Sequence, residues 1–449
     1  MKVAKFGGTS LASAEQVRKV CNIILSDPER KVIVVSAPGK RYKEDIKVTD
    51  LLIACAESYI KNGKATKEYE AVVERYSEIG RELGVPEEII NNIAKDIYDR
   101  FSLYTGNNEK FIDLMKAAGE DNCAKLVASY LQSQGVKATY VNPKDAGLIL
   151  SSEFGNAQVL PESYENLKSL KDIPGIVIFP GFFGYSKEGD VVTFSRGGSD
   201  ITGSILAAAL DAELYENFTD VDCIYSVNPS IIPNPCPIEE ITYREMRELS
   251  YGGFNVFHEE ALIPVYKKGI PVRVKNTNNP NAPGTTILHT RTNITRPVVG
   301  IAYDTRFCCI NISKYLMNRE IGFGRKVLEI LEKEGISYDH SPSGIDSISI
   351  VLNQSQLTSE KEKRIVDAFR NKLHVEEITI MRNLALIMVV GEGMSQTVGI
   401  AARAARAFAK VGVNIEMINQ GLTEISIMFG VKAEESIKAV KSLYSEFFE

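Results

Sequence analysis

The chain has 449 residues, of which 44% are hydrophobic and 24% charged. This is the composition of a globular protein, and the length is sufficient for two or three domains. Its 52 lysines and arginines against 58 aspartates and glutamates give a net charge of −6, which argues against a nucleic-acid-binding protein. No apolar run approaches the ~20 residues needed to cross a bilayer, and the N-terminus carries no apolar signal segment. We therefore expect neither a nucleic-acid partner nor a membrane.

The cysteines bear on the compartment. All seven are scattered, no two form a C-x-x-C pair, and only four histidines accompany them. An odd number of cysteines, without the regular spacing of metal ligands, argues against both a disulfide framework and a zinc site. Reduced thiols that pack as small hydrophobic groups are the favoured interpretation. We expect a cytoplasmic protein without a metal site of its own.

The first predicted elements are a strand, a glycine turn, a helix and a second strand. Residues 3–6 predict a short strand and residues 7–10 a tight turn. Ser13 and Gln16 have the spacing of a helix capping box, and a helical stripe of apolar residues follows. Residues 31–36 are a β-branched apolar run, as expected for a strand that is buried on both faces. Such a β-α-β unit predicts a parallel sheet and an α/β fold.

More helices and strands follow along the chain. The predicted elements are helices over 50–114 and 201–210 and strands over 175–179, 190–194 and 213–218. A segment rich in Asn, Pro and Gly, residues 276–284, ends this pattern. We therefore predict a first domain over residues 1–295.

The C-terminal third contains an internal repeat. A shift of 77 positions, without a gap, superimposes identical residues: Gly322 on Gly399, Lys333 on Lys410, Gly335 on Gly412, Gly344 on Gly421, Ile348 on Ile425, Ser349 on Ser426 and Ile350 on Ile427. Each copy reads as a strand, a helix that begins at a glycine, a strand, a turn and a strand. The repeat predicts two small βαββ modules in tandem.

Three clusters of glycine or acidic residues stand at the ends of predicted strands. Two of them carry charged side chains that suit a phosphate or a carboxylate. In 5–10, K-F-G-G-T-S, glycines let the backbone approach a ligand and Lys5 offers a cation for a phosphoryl group. In 196–200, R-G-G-S-D, Arg196 can hold a carboxylate with two hydrogen bonds, and Asp200 could orient Lys5. A structural turn and a plain helix start are the respective alternatives. No P-loop pattern occurs in the chain.

The third cluster, T-D-V-D at 219–222, follows a predicted strand. Ligands of open α/β sheets bind at the carboxyl ends of the strands, and an ordinary strand-to-loop turn is the alternative. In this order, K-F-G-G-T-S, V-V-S-A (34–37), G-E (119–120), R-G-G-S-D and T-D-V-D resemble the aspartate kinases. The tandem modules resemble the paired ACT domains of that family. The fold class implied is an amino-acid-kinase-type α/β domain with an open, parallel-rich sheet flanked by helices, followed by two ferredoxin-like α+β ACT domains over 305–380 and 381–449.

The resemblance implies a role for individual residues. Lys5 would stabilise the transferring phosphoryl group and Asp200 would position Lys5. Glu120 would hold the amino group of aspartate and Arg196 its α-carboxylate, with Thr49 and Ser199 in the same pocket. The nucleotide-binding positions implied are Gly7, Gly8, Ser36, Thr219, Asp220, Tyr225, Ser230, Asn255 and Val256.

The residue types agree with that chemistry. A carboxylate is already a nucleophile at pH 7, so phosphoryl transfer to it depends on positioning and on neutralising charge. The resemblance implies ATP as the phosphoryl donor, with Mg²⁺ carried by the nucleotide through oxygen ligands and water. Several positions depart from the family: Ala117 stands where a serine is usual, and Ser230 and Asn255 stand where basic residues are usual. We expect weaker ATP binding, unless one of Arg244, Arg247, Lys267 and Lys275 compensates.

The ACT resemblance implies an amino-acid effector and an assembly. The positions that match the effector pocket of lysine-sensitive relatives are Met317, Gly324, Ser337, Tyr338 and Asp339. Lysine is the first choice of inhibitor, and threonine, alone or with lysine, the second. The alternative is that the modules only dimerise the enzyme. Because ACT sheets pair between chains, the resemblance implies a homodimer or a tetramer.

Two other functions compete with an aspartate kinase. A glutamate or N-acetylglutamate kinase would explain the first domain, but it would leave the tandem modules unexplained. A catalytically weakened kinase kept as an amino-acid sensor is suggested by Ser230, Asn255 and Glu259. Turnover of ATP and aspartate would distinguish the enzyme from the sensor.

Overall fold

The structure is a computed structural model of the whole chain, and residues 1–195, 197–254, 257, 259–291, 294–421 and 425–449 are described. The chain forms two compact units. Unit 1 consists of Met1–Ile224, Pro237–Met246 and Asn255–Thr292, and unit 2 consists of Tyr225–Cys236, Arg247–Phe254 and Asn293–Glu449. None of the described helices is both long and apolar enough to span a membrane.

Most strands in the first part of the chain form one sheet. The strands up to residue 288 are β1 (Lys2–Phe6), β2 (Arg30–Val35), β3 (Ala138–Tyr140), β4 (Ile176–Pro180), β5 (Phe183–Tyr185), β6 (Val191–Thr193), β7 (Leu214–Thr219), β8 (Ile224–Tyr225), β9 (Pro237–Ile238), β10 (Glu240–Thr242), β11 (Val272–Asn276) and β12 (Thr285–Leu288). Eight of them form a sheet in the order β10-β12-β11-β7-β1-β2-β4-β3. Every neighbouring pair in it is parallel except β11 and β12.

Helices accompany this sheet. They are α1 (Ala14–Leu25), α2 (Val48–Asn62), α3 (Thr66–Leu83), α4 (Glu87–Asp99), α5 (Asn108–Ser133), α6 (Glu162–Asn166), α7 (Gly198–Ala209), α8 (Tyr243–Tyr251) and α9 (Ile263–Lys268). The predicted β-α-β unit is confirmed. The Ser13 side chain caps α1 by accepting a hydrogen bond from the Gln16 backbone N–H at 3.4 Å, and the apolar stripe of α1 is buried.

The parallel strands end level with one another, which positions the site. Phe6, the last residue of β1, pairs with Val35 at the end of β2 and with Phe218 near the end of β7. Phe218 in turn pairs with Lys275 near the end of β11. The turns that follow these strands therefore meet at one edge of the sheet, as expected for parallel strands.

Unit 2 contains one antiparallel sheet shared by both repeat copies. Its elements from residue 300 onward are β13 (Gly300–Ser313), α10 (Phe323–Lys333), β14 (Ser347–Asn353), α11 (Ser359–Leu373), β15 (Glu377–Val390), α12 (Ile400–Lys410), β16 (Met417–Asn419), β17 (Ser426–Lys432) and α13 (Ser436–Phe448). The strand order is β14-β13-β15-β17-β16, and the long strands β13 and β15 pair along their lengths.

The predicted fold class is confirmed, and the second copy has the predicted order of strand, helix, strand and strand (β15, α12, β16 and β17). A helix, α11 or α13, follows the last strand of each copy. In the first copy the strand expected before β14 is reduced to two isolated bridges, His340 with Val351 and Ser343 with Ile348. Each copy has its own apolar core, one around Phe369 and one around Phe408.

Candidate active site

The glycine turn after β1 touches the turn after β2. The Gly7 backbone N–H donates to the Phe218 carbonyl at 3.0 Å, and the Gly39 N–H donates to the Gly8 carbonyl at 2.8 Å. A Cβ atom on Gly8 would lie 2.9 Å from the Ala37 carbonyl oxygen. Only glycine lets the two turns approach this closely. Ser36, which begins the second turn, donates its backbone N–H to the Phe6 carbonyl at 3.2 Å.

Lys5 and Asp200 form an ion pair at the same edge. Lys5 Nζ lies 2.6 Å from Asp200 Oδ1, and the two side chains are only 9% and 15% exposed. Asn217 Nδ2 donates to the same Asp200 oxygen at 2.6 Å. A Cβ on Gly7 would lie 3.5 Å from Lys5 Nζ, so the ammonium stands beside the glycine turn. This arrangement holds a cation where an anionic group could approach the turn.

Glu120 is a buried carboxylate on α5. Oε2 of Glu120 has no hydrogen-bond partner among the described residues, and desolvation raises the pKa of the side chain to about 8, although the Ala37 backbone N–H favours the ionised form. A Cβ on Gly119 would lie 2.8 Å from the Ala37 Cβ, so α5 packs directly against the turn after β2. An unpaired buried acceptor is costly, and a bound cation would relieve that cost.

The other predicted substrate residues lie at helix starts. Thr49 is a half-buried residue in the first turn of α2. Ser199, in the first turn of α7, is buried, and a Cβ on Gly181 after β4 would lie 2.7 Å from its Oγ. Arg196 lies outside the described residues, so its predicted role stays a prediction.

The predicted nucleotide residues are spread over several turns. Thr219 ends β7 and its hydroxyl donates to Asp220 Oδ1 at 3.2 Å. Tyr225 ends β8. Ser230 is exposed and donates its backbone N–H to Asn228 Oδ1 at 2.9 Å. The predicted positions Asn255 and Val256 lie outside the described residues.

Sequence reasoning missed two residues of this arrangement. Asn217 fixes Asp200 through its side chain, and the Tyr215 hydroxyl donates to the Asp200 backbone carbonyl at 3.1 Å. The available signal was an amide side chain in the middle of a strand whose four inner residues are buried. Buried polar side chains usually have a specific partner, so Asn217 could have been selected from the sequence.

The predicted effector residues lie in unit 2, around α10. Met317 is buried and Gly324 lies in the first turn of α10. Ser337 donates its backbone N–H to Gln356 Oε1 at 3.0 Å, and Tyr338 is 45% exposed. Asp339 Oδ1 accepts a hydrogen bond from the Tyr251 hydroxyl at 2.5 Å.

Taken together, Lys5, Glu120 and the glycine turns of unit 1 offer groups that suit a small zwitterion and an anionic group. A lysine held by a carboxylate can stabilise negative charge that moves during a reaction. A buried carboxylate with an unpaired oxygen suits an ammonium. Glycine turns provide the close backbone approach that phosphate oxygens require.

Comparisons with known proteins agree with this chemistry. The sequence model of the amino acid kinase family matches residues 1–276, and that of the ACT domain matches residues 387–447. The chain is 60% identical over its full length to Aspartokinase 3 of Bacillus subtilis (strain 168), of which 99% is covered.

Solved structures give the same result. The crystal structure of Clostridium acetobutylicum aspartate kinase is 40% identical, with both chains fully covered and a TM-score of 0.88. E. coli aspartokinase III also matches over both full chains. Its complex with aspartate and ADP, described as the R-state, is 26% identical with a TM-score of 0.82. Its complex with lysine and aspartate, described as the T-state, is 25% identical with a TM-score of 0.78.

Proposed function

The chain belongs to the amino acid kinase family and is an ATP-dependent aspartate kinase with C-terminal ACT domains, and on this premise we propose how its residues act. The enzyme transfers the γ-phosphate of ATP to the side-chain carboxylate of L-aspartate, which gives 4-phospho-L-aspartate. This is the first step towards lysine, threonine and methionine. One observation carries the assignment of roles. Lys5, the glycine turn, the Ala37 turn and Glu120 follow one another in contact at a single sheet edge.

Glu120 recognises the amino group of aspartate. The substrate ammonium supplies the partner that Glu120 Oε2 otherwise lacks, and the resulting ion pair is charge-assisted. Arg196 grips the α-carboxylate, while Thr49 and Ser199 donate hydroxyl groups in the same pocket. This set leaves the side-chain carboxylate of aspartate as the group that faces the phosphate.

Lys5 stabilises the phosphoryl group during transfer. The reacting aspartate carboxylate needs no general base because it is ionised at pH 7. Charge spreads over the equatorial phosphoryl oxygens in the transition state, and the Lys5 ammonium neutralises part of it. Asp200 acts as a positioning residue, since it holds Lys5 at 2.6 Å and is itself held by Asn217.

ATP binds along the turns after β1, β2 and β7. Gly7, Gly8 and Ser36 lie in the turns that face the phosphates, where the glycines let the backbone come close to the nucleotide. The remaining nucleotide contacts come from Thr219, Asp220, Tyr225, Ser230, Asn255 and Val256. Mg²⁺ enters with the nucleotide, bound mainly by phosphate oxygens and water. Lys275 is the candidate to replace a missing cation, because it lies one residue before the end of β11.

Lysine is the proposed inhibitor and threonine the second candidate. Asp339 offers an anionic partner for the ammonium of an amino acid, and Met317, Gly324, Ser337 and Tyr338 are the other proposed residues of the effector pocket. The complex of E. coli aspartokinase III with lysine supports this choice. Inhibition requires that the effector bind two states of the enzyme with different affinity.

A homodimer or tetramer forms through unit 2. Ile321 and Val398, which occupy equivalent positions in the two repeat copies, are almost fully exposed, and Ile345 is 71% exposed. Large exposed apolar side chains on both modules offer contact surfaces for a second copy of the chain. The seven free thiols suit a cytoplasmic enzyme.

The test is a coupled measurement of catalysis and regulation. Purified protein is given ATP, Mg²⁺ and aspartate, and acyl phosphate is trapped as the hydroxamate while lysine and threonine are added singly and together. We expect turnover that Lys5→Ala abolishes and lysine reduces. Turnover no higher than that of Lys5→Ala would overturn the catalytic roles and favour the sensor.

A further inference from the structure

A segment of the kinase-family region packs within unit 2. Arg247–Phe254 belongs to unit 2, although the amino acid kinase model covers it. Glu248 Oε2 accepts a hydrogen bond from Ser426 Oγ at 2.8 Å. A Cβ on Gly252 would lie 2.6 Å from the Ala302 Cβ, and one on Gly253 the same distance from the Tyr303 carbonyl oxygen. The end of α8 is therefore fitted tightly to β13 and β17.

Tyr251, the last residue of α8, contacts the candidate effector site. Its hydroxyl donates to Asp339 Oδ1 at 2.5 Å, and its ring meets the His340 ring edge-on with centroids 6.0 Å apart. His340 Nδ1 lies 3.2 Å from Asn419 Nδ2 on β16. Tyr251 thus joins the kinase-family segment to the first module, and through His340 to the second.

We propose that the Tyr251–Asp339 hydrogen bond stabilises the effector-free state and is given up when an amino-acid effector binds. The inference rests on the proposed function, which makes Asp339 the partner of the effector ammonium. That ammonium pairs with the Asp339 carboxylate and displaces the Tyr251 hydroxyl. The hydrogen bond also delocalises the charge of Asp339, so its removal makes the carboxylate a better partner for a cation.

The chain that follows Tyr251 leads directly to a proposed nucleotide position. Tyr251 is followed by Gly252, Gly253 and Phe254, and then by the proposed nucleotide position Asn255. A change at the end of α8 therefore alters the chain that leads into the ATP site. By linkage, an effector that breaks the bond must bind more weakly to the state that keeps it.

The Tyr251→Phe variant of the full-length enzyme tests the proposal, because the proposal predicts the direction of the change in lysine binding. Lysine binding is measured by equilibrium dialysis, and inhibition is measured relative to the uninhibited rate of each variant. Threonine replaces lysine if lysine does not inhibit the wild type. We expect both the dissociation constant and the half-inhibiting concentration to fall roughly 5- to 150-fold, the usual range of an allosteric coupling. Tyr303→Phe, which removes a hydroxyl from β13 beside Gly253, is the control and should leave both values unchanged.

The outcomes separate this inference from the proposed regulation. Tighter lysine binding in Tyr251→Phe supports it, because a merely structural loss would not strengthen binding. Unchanged or weaker binding, with the wild type inhibited and Asp339→Asn insensitive, would overturn the role of Tyr251 and keep the effector site. A wild type that binds neither amino acid would overturn the regulatory proposal, and the role of Tyr251 with it.

Discussion

Glu120 provides the most specific test of the site, through its proton. Burial raises the pKa of this carboxyl from 4.5 to about 8 in the absence of aspartate, so the side chain is largely protonated at pH 7. The ammonium of aspartate favours the ionised form. We therefore expect aspartate binding at pH 7 to release close to one proton.

The same shift sets the pH dependence of aspartate binding. Below pH 8 the substrate must displace the proton of Glu120, so the aspartate dissociation constant should fall about tenfold from pH 6 to pH 7 and about fivefold from pH 7 to pH 8. Glu120→Gln should bind aspartate with little pH dependence and more weakly. A charge-assisted hydrogen bond contributes ~1.5–3 kcal/mol, which corresponds to a loss of affinity of roughly 10- to 150-fold.

Stability should depend on pH in the opposite sense. Between pH 4.5 and 8 the folded protein keeps a proton on Glu120 that the unfolded chain has lost, so the free energy of unfolding of the aspartate-free enzyme falls as pH rises. The contribution of this one group is about 1.4 kcal/mol per pH unit. Glu120→Gln should lack that contribution, so its stability relative to wild type should improve from pH 5 to pH 8.

Calorimetry in two buffers of different ionisation enthalpy measures the released proton, and urea unfolding at several pH values measures the slope. Glu109→Gln removes a carboxylate from the exposed start of the same helix and is the matched control. A binding enthalpy independent of the buffer, together with wild-type aspartate affinity in Glu120→Gln, would refute the assignment of Glu120 to the substrate ammonium.

Two further predictions concern the charges near the sheet edge and at the opposite strand end. Asp200→Asn should lower kcat roughly 10²–10³-fold with little change in the KM for aspartate, because Asp200 positions Lys5 and Lys5 acts in the transition state. A kcat within about twofold of wild type in steady-state kinetics would contradict this. Glu216→Ala should destabilise unit 1 by ~3–5 kcal/mol, since it leaves Arg30, buried and bound to Glu216 at 2.6 Å and 3.0 Å, without its counter-ion. Urea unfolding tests this, and equal stability of Glu216→Ala and the exposed-pair control Glu15→Ala would contradict it.

Local patterns were sufficient for the elements that build the site. The capping box at Ser13 and the apolar run of β2 predicted the β-α-β unit because caps and burial on both faces act over a few residues. The predicted strands 175–179 and 213–218 lie within one residue of β4 and β7 at each end. The family resemblance, confirmed by the comparisons, added the pairing of residues that lie far apart in the sequence, such as Lys5 and Asp200.

Long-range contacts were beyond those patterns. Asn217 approaches Asp200 only because β7 pairs with β1 and α7 packs beside them, and no periodicity encodes that meeting. The repeat predicted two modules, yet the pairing of β13 with β15 makes them one sheet. Strand partners are determined by packing and register across the whole sheet. A sequence repeat found at a shift of 77 positions therefore could not reveal that β13 pairs with β15.

The division of the chain bears on how regulation can work. The two segments assigned to unit 2 before residue 293, Tyr225–Cys236 and Arg247–Phe254, include or directly precede proposed nucleotide positions: Tyr225, Ser230 and Asn255. Val227 and Ile231 pack in the core of the second module, and Tyr251 bonds to Asp339 of the first. An effector that repacks unit 2 would therefore act on residues that belong to, or directly precede, the proposed nucleotide site, and chain continuity alone would transmit the signal.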